Sequence, residues 1–276
     1  MISRRSFGRT HMRHLLTDKG LLGGHSEYVR FIVVGRSRTG SNLLRNLLNA
    51  HSQVEAYGEV FRSPSREAMD WDHSGVLRQS DRMHRLLLDA PVKFIETRIY
   101  RRYPVEIAAV GFKIFYYHAQ EGNWQPVWPY LEQQTSIRVI HMKRRNMLST
   151  HLSRKRAEIT DVWVNTSGQA EQPVAVTLDY DQCLADFERT RAWEVAADSL
   201  FASHPKIELF YEDLAQDNEG EMRRVQQFLG LDYQPVAPTI YKQSQQTLAQ
   251  AIANYDELKS RFDGTLWAAF FEDGDR

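Results

Sequence analysis

Apolar and polar positions change rhythm in a regular way along much of this 276-residue chain. Phe31-Ile32-Val33-Val34 is a short apolar run that stops at Gly35, the pattern of a strand buried on both faces. From Ser41 the period lengthens: Leu43, Leu44, Leu47 and Leu48 share one face of a helix, with Arg45 and Asn49 off it. Further buried strands are expected near 110–117, 137–142 and 207–211. A helix is predicted from about 146 to 157. Another runs through Met222, Val225, Phe228 and Leu229 and stops at Gly230, a natural C-terminal cap. Strands alternating with helices predict an α/β fold, a parallel sheet flanked by helices on both faces. No repeat or linker divides the chain, so a single domain over 1–276 is expected. Within it, 1–29 reads as a solvated arm, and the poorly patterned stretches at about 61–109 and 158–181 are expected to shape an acceptor pocket.

Composition changes this picture in a few places. No apolar run approaches the ~20 residues of a membrane helix. Ser3-Arg4-Arg5-Ser6-Phe7 resembles a twin-arginine export signal, but Gly8 to Lys19 supplies arginines and histidines where an apolar core is required. The single cysteine, Cys183, excludes an internal disulfide framework and fits a small core residue in a reducing compartment. A cytoplasmic location is the expectation. The formal net charge is zero, yet residues 1–156 hold 26 basic against 13 acidic side chains and residues 157–276 hold 9 against 22. Overall neutrality excludes a general nucleic-acid binder. The basic front half, with 27 arginines to 8 lysines in the whole chain, points to forked recognition of a small polyanion. The acidic excess behind it is expected on solvated helices.

Gly35-Arg36-Ser37-Arg38-Thr39-Gly40-Ser41-Asn42 joins the first strand to the first helix. Glycines at both ends let the backbone wrap, and free N–H groups at the helix start face an anion. The spacing Gly-x4-Gly fits an NTPase phosphate loop, but Ser41 and Asn42 stand where lysine and the magnesium-binding hydroxyl belong. A cation sits earlier, at Arg38. The frame is a P-loop-type sheet whose ligand is a phosphate ester held by arginine and hydroxyls, with no metal expected.

Arg38-Thr39-Gly40-Ser41 followed by Leu43-Leu44 resembles the 5′-phosphosulfate loop of sulfotransferases that use 3′-phosphoadenosine 5′-phosphosulfate (PAPS), with Asn42 in place of a second hydroxyl. Arg145-Asn146, with Ser153 eight positions after the arginine, is similar to that family's 3′-phosphate motif, although Met147 replaces the usual proline. Leu209-Phe210-Tyr211-Glu212-Asp213-Leu214 resembles a later core segment whose tyrosine contacts the nucleotide. Asn49-Ala50-His51-Ser52-Gln53-Val54 leading to Gly58-Glu59 is similar to tyrosylprotein sulfotransferases and related bacterial enzymes, where a glutamate beyond the first helix is the catalytic base. The matches cover about 30–60 and 137–230 in the right order.

The resemblance implies a PAPS-dependent sulfotransferase with Glu59 as general base and Arg38 at the bridging oxygen and leaving phosphate. Arg36, Ser37, Arg38, Thr39, Gly40, Ser41, Asn42, Arg145, Ser153 and Tyr211 would bind the donor. Arg144 competes with Arg145 for the 3′-phosphate, and spacing to Ser153 favours Arg145. Lys113, a charge inside an apolar strand, is a candidate substrate or transition-state contact, and Lys242 a candidate closing over the nucleotide. His51 and His118 lie nearest the loop in sequence; a packing or capping role is expected for His51. No His/Cys/Asp group has metal-ligand spacing. The acceptor is expected to be a small molecule, sugar or lipid head group. Trp71, Tyr100, Tyr103, Tyr116, Tyr117, Trp124, Trp128 and Trp163 are candidates for lining its pocket or for packing. A P-loop small-molecule kinase and a non-catalytic nucleotide-binding protein of the same fold are the rival readings.

Overall fold

The computed structural model describes residues 12–13, 16–17, 20–65, 80–161, 175–239 and 246–272. Strands β1 (Val29–Gly35), β2 (Val54–Glu59), β3 (Ala109–Phe115), β4 (Arg138–Lys143) and β5 (Lys206–Phe210) pair in parallel in the order β2-β3-β1-β4-β5. Helix α1 (Ser41–Ala50) follows β1, and α2 (Asp81–Asp89) and α3 (Val127–Gln133) flank β3 in the chain. Helices α4 (Met147–Thr160) and α5 (Tyr180–Leu200) lie between β4 and β5, and α6 (Tyr211–Gln216), α7 (Asn218–Phe228) and α8 (Tyr255–Phe262) follow β5, with short helical turns at Pro91–Phe94 and Leu248–Ala251.

Period-2 alternation in β1 sends its side chains to two different cores. Ile32 and Val34 join Phe112, Ile114 and Val139 on one face; Phe31 and Val33 join Leu44, Leu47, Ile140 and Met142 on the other. A third cluster packs α4 and α5 against the C-terminal helices around Phe187, Phe262 and Trp267. Both faces of the sheet are covered, and its central strands β1 and β3 read as near-continuous apolar runs. Gly230 has φ of +71° after α7, as its capping role requires.

Residues 80–109 are less of a surface insertion than their pattern suggests. Phe94, Ile95, Ile99 and Tyr103 are fully buried in the first core cluster. Of the proposed acceptor aromatics, Tyr100, Tyr103, Tyr116 and Trp124 belong to that core and Trp128 packs against it, while Tyr117 keeps an exposed ring. Trp71, Trp163 and Lys242 lie outside the described residues. No helix among the described residues is long and apolar enough to cross a membrane.

The acidic half is not merely a solvated surface. Asp186 of α5 pairs with Arg36 and Arg154, Asp198 and Glu208 with Lys143, and Asp213 with Arg145. Carboxylates after residue 157 thus meet the basic excess before it. Glu194, in the same α5 stripe, is buried, and that burial pushes its carboxyl up to about 7 against the opposing pull of Lys143 and Arg191. A carboxyl whose folded pKa exceeds its unfolded one binds more protons when folded, so its contribution to stability falls as pH rises from about 4.5 through 7. Glu194→Gln is therefore expected to raise the melting temperature by roughly 2–4 °C at pH 8 and by less at pH 5. Parallel thermal melts at the two pH values check this, and equal shifts would contradict it.

Candidate active site

The connection from β1 leads toward β2 and that from β4 toward β5, so a crevice opens between their carboxyl ends, the usual ligand position in an open parallel sheet. The loop 36–40 and the turn 144–146 flank it. In the loop, Arg38 and Gly40 adopt left-handed backbone, φ +70° and +80°. This reverses the chain so that the amides of Thr39, Gly40, Ser41 and Asn42 are left, among the described residues, without protein acceptors at the start of α1. Thr39 Oγ1 donates to the Arg36 carbonyl (2.8 Å) and the Ser37 amide to the Tyr117 hydroxyl (3.3 Å). A Cβ at Gly40 would stand 2.4 Å from Tyr211 Cδ2, so the tyrosine ring packs directly on the loop backbone.

The two basic segments meet through side chains. Arg38 Nε donates to Ser153 Oγ (2.8 Å), and Arg144 Nη1 reaches the Arg38 carbonyl (3.4 Å) while its guanidinium lies 4.7 Å from the Tyr211 ring centroid. Arg145 has an exposed side chain, stacks over Phe210 and bonds Asp213 bidentately at 2.6 and 2.7 Å. Hydrogen bonds from Arg145 hold the Asp213 carboxyl below its ordinary range. Glu212 accepts from the Arg145 amide at 3.1 Å. Asn146 caps α4 by accepting from Ser149 N.

On the other side of the loop, Lys113 is buried in β3 and its Nζ donates to Ser41 Oγ (3.3 Å), Asn42 Oδ1 (2.5 Å) and Glu59 Oε1 (3.2 Å). The register between β2 and β3 shifts by one residue between Tyr57 and Glu59, and this bulge sets Glu59 opposite Lys113. The Glu59 side chain is 23% exposed, enough to reach a ligand.

Not every predicted residue faces this crevice. Arg36 was expected to bind the donor; instead it is 1% exposed, its guanidinium bonded to both Asp186 oxygens and to the Thr190 hydroxyl. Only its backbone remains for a ligand. His51 caps α1 and is fixed by Gln53 N and the Asp232 carbonyl. His118 accepts from the Phe115 amide at Nδ1, and burial lowers it to about 4, so it is neutral at pH 7. Cys183 is buried in the third core cluster, and burial pushes its thiol up to about 12.

Sequence spacing missed one cluster because its members come from three elements. His141, Asp198 and Glu208 place ligand atoms within 4.8 Å of one another. Lys143 Nζ sits 2.9 Å from Asp198 and 2.7 Å from Glu208, and Lys206 Nζ 2.7 Å from Asp198, so ammonium groups already neutralise these carboxylates.

A parallel sheet with an amide-lined loop at its switch point is the frame of an α/β protein built to hold an anionic ligand there. The chain matches the sulfotransferase family over residues 30–235 and belongs to it. It is an enzyme, which removes the kinase and non-catalytic readings. Nodulation protein H of Rhizobium tropici is 27% identical over 255 residues, covering 88% of this chain and 92% of that protein. Nodulation protein H of Rhizobium meliloti (strain 1021) is 27% identical over 252 residues, covering 88% and 94%. A solved sulfotransferase from Alicyclobacillus acidocaldarius is 16% identical with a TM-score of 0.46, covering 85% of this chain and 91% of that one.

Gly40 gives the site a direct test. Gly40→Ala adds left-handed strain of about 1–2 kcal/mol and drives a methyl into Tyr211. The expected outcome is a melting temperature lower by about 2–6 °C, read by circular dichroism; an unshifted melt would show that the loop does not depend on this contact.

Proposed function

We propose that the donor is PAPS and that the acceptor is a hydroxyl or amine on a small molecule, sugar or lipid head group. The observation that carries this reading is the Arg38–Ser153 contact. It joins an amide-lined cradle after β1 to a second basic segment after β4, and a donor with phosphates at both ends of its ribose needs two such anchors.

When bound, PAPS supplies an activated sulfuryl group on a phosphate leaving group. The amides of Thr39 to Asn42 and the Arg38 guanidinium would take the 5′-phosphate and the charge that builds on its bridging oxygen. Ser153 and Arg145 would take the 3′-phosphate. Arg145 suits this role because its pairing with Asp213 is exposed and easily exchanged, whereas Arg144 is already held by the loop carbonyl and Tyr211. Glu59 would remove the acceptor proton, and Lys113, touching base and loop together, would offset charge between them.

Calorimetric titration with adenosine 3′,5′-bisphosphate against ATP with magnesium tests the donor. Metal-independent preference for the bisphosphate is expected, and preference for Mg-ATP would overturn the reading. Glu59→Gln should keep bisphosphate affinity while losing ~10²–10⁴ in sulfate transfer from labelled PAPS; full activity would remove Glu59 as base. Arg145→Met is expected to weaken the bisphosphate roughly tenfold or more and leave adenosine 5′-monophosphate unaffected. Arg144→Met should weaken both, and the opposite pattern would exchange the two roles.

A further inference from the structure

Arg36 leaves an unexpected residue in charge of the loop. Asp186, in the middle of α5, has a side chain only 5% exposed and gathers two guanidinium groups and an imidazole. Its oxygens lie 3.2 Å from both terminal nitrogens of Arg36, 3.0 Å from His151 Nδ1 and 3.0 Å from Arg154 Nη2. Thr190, one turn on, accepts from Arg36 and donates to the Asp186 carbonyl at 2.6 Å. Burial pushes the Asp186 carboxyl up, but His151, Arg36 and Arg154 outweigh it and hold it well below the ordinary range. The group is an anion throughout the physiological range.

These partners come from both sides of the crevice. Arg36 belongs to the loop, two residues before Arg38; His151 and Arg154 belong to the turn of α4 that carries Ser153. Two linkages therefore close a circuit between the same segments. One is Arg38 to Ser153, at the ligand side, where a phosphate would compete for both groups. The other is Arg36 to His151 and Arg154 through the buried Asp186 carboxylate. We infer that Asp186 is a positioning residue for donor binding: through Arg36 on one side and His151 and Arg154 on the other, it sets the spacing of the two phosphate anchors before ligand arrives. An anchor pair fixed in advance does not use binding energy to order itself. The left-handed Arg38 adds a reason, since a strained non-glycine residue persists only where neighbours over-determine it. The inference rests on the two-anchor donor reading above.

Asp186→Asn keeps shape and one acceptor but removes the charge; Thr190→Val removes the second hold on Arg36 without touching any carboxylate. Binding of adenosine 3′,5′-bisphosphate is measured by calorimetry at a temperature where melts show each protein fully folded, with hydrogen exchange of the amides of 37–42 alongside. Asp186→Asn is expected to weaken binding roughly tenfold and Thr190→Val about threefold, both with faster loop exchange. A purely structural role would lower the melting temperature and leave affinity per folded molecule unchanged, and that result overturns the inference. If Asp186→Asn does not fold, Thr190→Val decides: unchanged affinity and exchange overturn it, weaker binding with faster exchange sustains it. Failure of the wild-type protein to bind the bisphosphate sinks the donor reading itself, and this inference with it. Normal wild-type binding with unaffected variants sinks the inference alone.

Discussion

Arg36 follows β1 into the protein interior, and the buried Arg36–Asp186 pair is the interaction around which the carboxyl edge of the sheet is arranged. An isolated guanidinium there would lose several kcal/mol of hydration, so a partner must reach it from another element. Helix α5 supplies that partner, and the same helix supplies Asp198 to Lys143 at the end of β4 and to Lys206 at the start of β5. One helix thus ties to three strands. Part of the charge asymmetry of the two halves meets here: Arg36, Lys143, Arg145 and Arg154 of the basic half pair with Asp186, Asp198, Glu208 and Asp213 of the acidic half.

What that fixes most closely is the loop. Two left-handed residues turn its amides toward the crevice, and Tyr211 lies where a Cβ on Gly40 would be. Lys113 then connects the loop to the neighbouring strand, because a one-residue bulge in β2 sets Glu59 beside it. A regular strand would alternate Glu59 to the other face, away from the lysine. Glu59 and the loop are therefore positioned by one buried ammonium group, and these partners give the lysine its place in an otherwise apolar strand.

The elements that were legible in the sequence are those whose burial is written in apolar side chains. The runs at β1, β3, β4 and β5, the leucine face of α1 and the glycine after α7 all carry that signal. Helix α5 does not, since Asp186, Thr190 and Glu194 occupy its buried stripe between Cys183, Phe187 and Ala197. Polar residues at helical spacing read as solvent-facing unless their partners are known, and those partners lie up to 154 residues away in sequence. The same reason misdirected Arg36: an arginine in a phosphate loop looks like a ligand until its counter-ion is located. Strand β2 hid behind its glutamates and its glycine, two of which turn out to be buried or bulged. Residues 80–109 were obscured differently, because short helical segments with scattered aromatics lack a sustained period although they fill the core.

The ionic network and the apolar clusters contribute in different ways. Replacing a buried ion pair by packed hydrocarbon is often neutral or stabilising, so the pairs on α5 are weak evidence for stability. The clusters on both sheet faces supply the burial that holds the domain together. What the ion pairs add is geometry: Arg36 and Arg145 are each held bidentately by one carboxylate, and Lys143 by two. A sulfotransferase needs that geometry more than extra stability, because positioned donors stabilise a transition state only where its charge develops. On the donor reading proposed above, misplacing either basic segment would separate the two anchors; Asp186 joins the loop, through Arg36, to α4, through His151 and Arg154.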